Sequence, residues 1–322
     1  NLNDLRKVLT DSEDVADYVV RVRRELHLQP ELMWTETKTS AVVKRELRAL
    51  GVPFEEVSAP GVVATIGSGS APVVALRADM DALPVTEESD IPVERRSQVP
   101  GKMHACGHDG HTAMLLGAAK VLKSVEGSLR GTVRLVFQPA EEGGAGGRKM
   151  LEDGLRTMRP AIESSFALHN WPYPETPSGV VGTRPGTIMA GSGAFEITLT
   201  GAGGHAAVPH KNIDVVVCGS AVVMAMQTIV SRLTDPLDSA LITVTVFDAG
   251  GDAENVMVDT ARLMGQFHAV DKRTLEWIHG AIVKETVGTA SAHGCDADVT
   301  FTPVLPDGNV REEYPPTVND VK

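Results

Sequence analysis

Apolar positions recur at helical spacing over residues 11–27, where Val15, Tyr18, Val19, Val22 and Leu26 share a face, with Ser12 placed to cap the start and Pro30 just past the end. The same spacing predicts a second helix over 36–50, closed by Gly51 in the position after its last turn. Short β-rich runs follow at 62–66 and 73–76. Residues 112–121 hold Met114, Leu115, Leu116, Ala118 and Ala119 with no charge before Lys120, the signature of a buried helix. Further strands are predicted at 132–137 and 165–168. From about residue 191 the rhythm changes: strand 194–199, apolar helix 213–230, strands 240–247 and 261–269, helix 274–292 and strand 297–302. That order, βαββαβ, is the order of a ferredoxin-like unit. The pattern as a whole predicts an α/β chain, in which a mixed, largely parallel sheet flanked by helices carries an inserted ferredoxin-like βαββαβ domain.

At 322 residues the chain is long enough for two such domains, and 42% apolar with 22% charged residues is the composition of an ordinary globular protein. Lys plus Arg number 30 against 42 Asp plus Glu, a net charge of −12 with no basic run, which argues against nucleic-acid and anionic-membrane partners. Cys106, Cys218 and Cys295 are few, odd in number and far apart. They argue against a disulfide framework and for a reducing, cytoplasmic setting. No leader is expected at the amino end as written, though processing can remove one, and no apolar run is expected to reach membrane-spanning length.

Candidate chemistry is densest at residues 103–111, Met-His-Ala-Cys-Gly-His-Asp-Gly-His, with three histidines, a thiol and a carboxylate in nine positions. If the segment is extended, alternate side chains share a side, so His104, Cys106 and His108 point the same way and Cys106 and His108 can hold one cation. Thiolate sulfur and neutral imidazole are the donors that borderline-soft divalent metals prefer. The plainer alternative is a buried cysteine among surface histidines. The helix predicted to follow puts its positive end at the cluster, which favours a thiolate. Three predicted strand ends deliver further donors: Asp79 and Asp81 after the run at 73–76, Glu141 and Glu142 after 132–137, and His169 with Asn170 after 165–168. On a glycine-flanked loop the two glutamates can divide the work, one on a metal and one on a water; a solvated acidic turn is the alternative. The Gly-rich stretches at 143–147 and 201–204 read as tight turns or backbone approaches, because neither opens a helix with the spacing of a nucleotide fingerprint.

The sequence also resembles the metal-dependent amidohydrolase and metallopeptidase family of N-acyl-amino-acid hydrolases, which includes hippurate hydrolase, aminoacylase-type enzymes and plant auxin-conjugate hydrolases. The matching text is Arg24-Glu25-Leu26-His27 with Pro30-Glu31, residues 75–84, 104–111 and 137–143, His169-Asn170, Gly203-Gly204-His205-Ala206 with Pro209-His210, and Asn255-Val256. The resemblance implies that Cys106, His108, Glu142 and His169 bind two divalent ions, zinc or else manganese, cobalt or nickel, with Cys106 between them. It makes Glu141 the general base and places Asp79 and Asp81 as an acidic pair beside the site. His205 is then the histidine that helps bind the substrate or its oxyanion, across a dimer in some arrangements, and Asn255 a further substrate contact. His104, His111 and His210 stand either as groups behind the ligands or as ordinary packed or exposed histidines. The implied layout is a metal-binding catalytic domain over 1–190, an inserted lid and dimerisation domain over 191–305, and the start of the return to the catalytic domain over 306–322.

The implied reaction is hydrolysis of the amide bond of N-acyl amino acids, small molecules, by a homodimer. Dipeptidase or N-acetyl-diamino-acid deacetylase activity of the same family is the alternative, as is a metal-binding, dimerising form without turnover. Two departures bear on this. The family's further metal-binding histidine does not precede Lys322, so the chain as written is expected to lack one ligand and part of its sheet. Gln266-Phe267-His268 ends in histidine where relatives carry arginine, which bears on recognition of the substrate carboxylate.

Overall fold

The computed structural model describes residues 10, 11, 13–171 and 176–302; the cap expected at Ser12 and the return expected over 306–322 lie outside them. The chain divides into two compact units, with the boundary between Val180 and Val181.

In the first unit, α1 (Ala16–Leu28) and α2 (Thr37–Ala49) precede β1 (Phe54–Glu56), β2 (Val62–Gly67) and β3 (Val73–Asp79). Next come α3 (His108–Ser124), β4 (Thr132–Gln138), α4 (Gly146–Glu152) and β5 (Ser164–Ala167). The strands form one sheet in the order β1-β2-β4-β3-β5. β3 runs parallel to both β4 and β5, whereas β1–β2 and β2–β4 are antiparallel. The sheet is therefore mixed without the parallel majority expected. The cause is local: only residues 57–61 join β1 to β2, too few for the crossover that a parallel pair needs.

Alternation along the strands assigns the two faces. Leu135 and Phe137 of β4, with Val62, Ala64 and Ile66 of β2, meet Val22 and Leu26 of α1, Val43 and Leu47 of α2, and Ala113, Leu116 and Ala119 of α3. Val63, Ala75 and Val136 turn to the other face, where Met150 of α4 covers them. Phe137 is fully buried at the centre of the larger cluster, and its truncation to alanine costs about 3–5 kcal/mol by the usual cavity arithmetic. Pro139, which has no N–H to continue the ladder, ends β4 and begins the turn that carries Glu141 and Glu142.

The second unit contains β6 (Gly191–Thr200), β7 (Gly204–His205), α5 (Val215–Thr228), β8 (Ala240–Asp248), β9 (Val256–Met257), β10 (Thr260–Ala269), α6 (Lys272–Ala292) and β11 (Asp296–Thr302). Four strands form an antiparallel sheet in the order β11-β6-β10-β8, and β7 pairs with β9. β6 buries every second residue, and Phe195, Ile197 and Leu199 pack with Val222 and Met226 of α5 and Ile278 and Ile282 of α6. Asp214 and Asp271 cap these helices, each accepting two backbone N–H bonds, worth about 1 kcal/mol per cap. Against expectation, the helical run Val215–Leu233 is long and apolar enough to cross a membrane by length and composition. Its Cys218, Val222, Met226 and Ile229 are buried in the core of this unit, as a core helix requires.

Candidate functional site

The site begins where α3 does. Gly107 has φ 94°, a left-handed conformation that turns the chain out of its loop, and His108 opens the helix four residues before the predicted start. The segment is thus not an extended strand through His108, yet Cys106 and His108 still bring donor atoms within 4.8 Å of each other, while His104 belongs to no such group among the described residues. His104 is buried, with both ring nitrogens unpaired, and its ring stacks 6.5 Å from that of His27. His108, His111 and Thr112, spaced three and four apart, share the helix face that meets the end of β3.

On that face Thr112 Oγ1 donates to the Asp79 carbonyl at 2.8 Å, and His111 Nδ1 lies 2.6 Å from Asp79 Oδ1. The backbone N–H of Asn170 donates to His111 Nε2 at 2.9 Å, so the ring carries its proton on Nδ1 and gives it to Asp79. His108 Nδ1 is 2.9 Å from the carbonyl oxygen of Asp81, which only accepts, leaving Nε2 to face the other way. The same logic holds for His169, whose Nδ1 donates to the Asn170 carbonyl at 2.6 Å and whose Nε2 lies 3.4 Å from Cys106 Sγ. Histidines whose outer nitrogen is tied to a carbonyl or carboxylate, with the inner one free, are arranged as metal-binding histidines are.

Among the described residues, donor atoms gather in three overlapping triplets, each within 4.8 Å: Cys106–His108–His169, His108–Glu141–Glu142 and Asp79–His108–His111. The last is a hydrogen-bonded set, because both nitrogens of His111 are engaged. The other two share His108, and its Nε2 is 3.8 Å from Glu142 Oε1 and 3.9 Å from Glu141 Oε2. Both His108 Nε2 and Glu142 Oε1 are buried without a hydrogen-bond partner. A buried orphaned acceptor costs about 1–3 kcal/mol, and a cation between these two would satisfy both. Sulfur, imidazole and carboxylate donors together fit a borderline divalent ion.

Asp79 and Asp81 serve from behind. Asp81 holds His108 and also accepts the Glu142 backbone N–H at 2.8 Å through Oδ2. Asp79 takes His111 and the Arg77 guanidinium, the latter at 2.7 Å. Burial would raise the Asp79 pKa, but the His111 hydrogen bond and the Arg77 and His108 charges win and hold it well below the usual carboxylate range. Burial opposes a charged His108, yet the Asp81 hydrogen bond, the neighbouring Cys106 thiol and the two aspartate charges push it up to about 11 in the metal-free chain. Burial, with the Glu142 and Asp79 charges and against His108, pushes Glu141 up to about 7. The thiolate expected from the helix end is not favoured here: His108 draws the Cys106 pKa down, but burial and the Glu142 charge carry it above its ordinary value.

His205 and Asn255 lie together in the second unit. His205 pairs with Val256, Asn255 O accepts the Ala206 N–H at 3.0 Å, and the Ala207 N–H donates to His205 Nδ1 at 3.0 Å. A cleft of about 410 Å³ opens there, lined by Ala206, Asp214, Gly250, Glu254 and Val256 among others. His210 sits in an exposed 3-10 turn, and His268 pairs in β10 with Ser192 and Leu241.

Sequence reasoning passed over a second buried network beside His108. His27 Nδ1 lies 2.7 Å from Asp109 Oδ2 and its Nε2 lies 3.2 Å from Glu87 Oε1, while Arg23 Nε reaches Asp109 Oδ2 at 2.8 Å. The run Arg24 to His27 carried the resemblance without a role; its position in α1 against the first turn of α3 supplies one.

The chain matches the peptidase family M20/M25/M40 over residues 75–320. It is 46% identical over 325 residues to the IAA-amino acid hydrolase ILR1-like 5 of Arabidopsis thaliana, covering 99% of this chain and 72% of that protein. It is 40% identical over 285 residues to the N-acetyl-L-cysteine deacetylase of Bacillus subtilis, covering 88% and 67% respectively. Among solved structures, the Bacillus subtilis YxeP protein, described as a dinuclear metal-binding peptidase of the M20 family, is 32% identical. The match covers 91% of this chain and 75% of that one, with a TM-score of 0.71.

Proposed function

The chain belongs to the peptidase family M20/M25/M40, whose members are amide-hydrolysing enzymes, and from that premise we propose that it hydrolyses N-acyl amino acids to a carboxylic acid and a free amino acid. The observation that carries the reading is the pair of orphaned buried atoms, His108 Nε2 and Glu142 Oε1, facing each other at 3.8 Å beside Glu141. Cys106, His108, Glu142 and His169 are the residues that would hold two divalent ions, with zinc the best match to sulfur and nitrogen donors. When bound, such ions supply Lewis acidity, which polarises the acyl carbonyl and brings the pKa of a water towards 7.

Glu141 does the proton work. Its carboxylate takes a proton from the attacking water as the oxygen joins the acyl carbon, then passes it to the amide nitrogen as the C–N bond breaks. A carboxyl whose pKa is raised towards neutrality is suited to both transfers. Asp81 keeps His108 oriented and fixes the backbone of Glu142, and Asp79 keeps His111 under the strand end that carries His169. His205 supplies a donor to the developing oxyanion and Asn255 a substrate contact in this reading.

The second unit serves as a ferredoxin-like insertion through which two chains pair. Its strand order β11-β6-β10-β8, with two helices on the sheet, supports the first part. Exposed apolar residues on α5 and the edge strand β8, Val217, Met224, Leu241 and Phe247, support the second.

A panel of N-acetyl and larger N-acyl amino acids, run beside dipeptides with elemental analysis of the same protein, tests the function. Metal uptake with turnover of the N-acyl compounds is expected; turnover of dipeptides alone would move the assignment to a peptidase.

A further inference from the structure

Glu36 is fully buried at the amino end of α2, at the position where a Ser, Thr, Asp or Asn side chain ordinarily caps the helix. It makes no such bond. Glu31 does that work from outside the helix, accepting the backbone N–H groups of Lys38 and Thr39 at 2.9 Å each through Oε2. Released from capping, Glu36 reaches across to the turn after β4, where its Oε1 accepts the Ala140 N–H at 2.7 Å. Two residues earlier, the Trp34 indole N–H donates to the Gly144 carbonyl at 3.0 Å. Both Trp34 (φ 64°) and Ala140 (φ 52°) adopt a left-handed backbone that costs a non-glycine residue about 1–3 kcal/mol, so the surrounding contacts must hold it.

The turn they grip is tight. Gly146 N–H donates to the Ala140 carbonyl at 3.0 Å, and a Cβ at Gly146 would overlap the Pro139 carbonyl. Glu141 and Glu142 ride on this turn. The same short segment also binds the other acidic loop: Ala82, next to Asp81, gives its N–H to the Glu31 carbonyl at 2.8 Å. Residues 31–36 thus brace both loops that face His108, yet none of their side chains belongs to the donor triplets.

Resting on the metal-site reading above, we propose that Trp34 and Glu36 are positioning residues: gripping the Gly144 carbonyl and the Ala140 N–H, they set the turn that aims Glu141 and Glu142 at His108. A buried carboxylate with Oε2 unpartnered is an expensive way to hold a loop that has no work to do. It is understandable where the position of two neighbouring carboxylates must be fixed to within a fraction of an ångström.

The test titrates the full chain and the variants Glu36→Ala, Glu36→Gln and Trp34→Phe with Zn²⁺ against a competing chelator. Thermal unfolding of each protein and kcat and KM for an N-acetyl amino acid are measured alongside. Glu36→Ala and Trp34→Phe are expected to weaken Zn²⁺ binding about tenfold and to lower kcat by a similar factor with KM nearly unchanged. Glu36→Gln, whose amide oxygen still accepts the Ala140 N–H, is expected to stay close to the parent. Parent-like binding in Glu36→Ala, or equal losses in Glu36→Gln and Glu36→Ala, would overturn the positioning role. If Glu36→Ala does not fold, Trp34→Phe, which removes the indole N–H together with part of the ring system, decides alone: unchanged Zn²⁺ binding there rejects the proposal. A parent chain that takes up no Zn²⁺ would instead overturn the metal site itself.

Discussion

Asp79 and His111 are joined by a buried 2.6 Å hydrogen bond between the end of β3 and the first turn of α3. Through the far side of the imidazole, the same contact reaches the backbone of Asn170, and so the strand end that presents His169. The aspartate pKa is depressed in the fold, so its stabilisation is fully present above the ordinary value of 3.8 and is lost as pH falls below it. Asp79→Asn is therefore expected to destabilise the chain by about 3 kcal/mol at pH 7, the scale of breaking a buried charge pair. Urea unfolding at pH 7 and pH 3 should show this penalty shrinking at the lower pH. A penalty of constant size would mean that the charge on Asp79 is not what matters.

Glu141 is placed to move protons and Glu142 to hold a cation, so their substitutions should separate. Glu141→Gln is expected to keep the metal content of the parent and to lose activity by roughly 10²–10⁴-fold, the range general acid–base groups contribute. Elemental analysis and a progress curve on the same preparation are enough; a variant with most of its turnover intact would remove Glu141 as the base.

The pH profile follows from the same residue. Glu141 must be ionised to accept a proton, so kcat/KM should fall on the acid side as the carboxylate is protonated. Burial and the neighbouring negative charges push its pKa up from 4.5 to about 7, and bound cations, being positive, draw it back. The acid limb is thus expected between those two values. A rate independent of pH down to 4 would contradict a buried glutamate as base.

Cys106 gives a direct probe of occupancy, because among the three free cysteines it alone is partly exposed while Cys218 and Cys295 are buried. Its thiol pKa is raised by burial and by Glu142 despite the pull of His108, so alkylation of the metal-free chain should be slow at pH 7 and quicken towards pH 9. Zn²⁺ is expected to suppress the reaction across that range. Labelling by iodoacetamide, located by peptide mass, reads this out; an alkylation rate indifferent to Zn²⁺ would sink the ligation of Cys106.

Much of this site was legible in the sequence because its donors follow apolar strands, and the ends of such runs are recognisable from their pattern alone. Glu141, Glu142, His169, Asp79 and Asp81 could be named on that ground. The start of α3 could not, since His108-Asp109-Gly110-His111 is polar and reads as loop, while its helical register puts His108 and His111 on one face. The strand directions were also hidden, because periodicity carries no sign, and the short link over 57–61 that makes β1 and β2 antiparallel has meaning only once β1 is known. β1 and α4 were missed outright, at three and seven residues too short to show a period. Glu36 looked like an ordinary residue at a helix start. No local pattern shows that its carboxylate is spent 104 positions away, on Ala140.

That burial has a consequence for stability that does not depend on any metal. Burial pushes the Glu36 pKa from 4.5 up to about 7, against the backbone hydrogen bonds that favour its charge. A raised pKa means that the fold favours the protonated form. Its contribution is therefore complete below pH 4.5 and is lost as pH rises through about 7. The cost by pH 8 corresponds to about 3 kcal/mol for a shift of this size, an upper figure if water reaches the unpaired Oε2. Glu36→Gln cannot ionise and escapes that loss while keeping an acceptor for the Ala140 N–H. In the metal-free chain, urea unfolding should find the variant and the parent close at pH 5, and the variant clearly more stable at pH 8. A gap of the same size at both pH values would show that Glu36 is already charged in the fold, with a partner that its buried Oε2 does not now have.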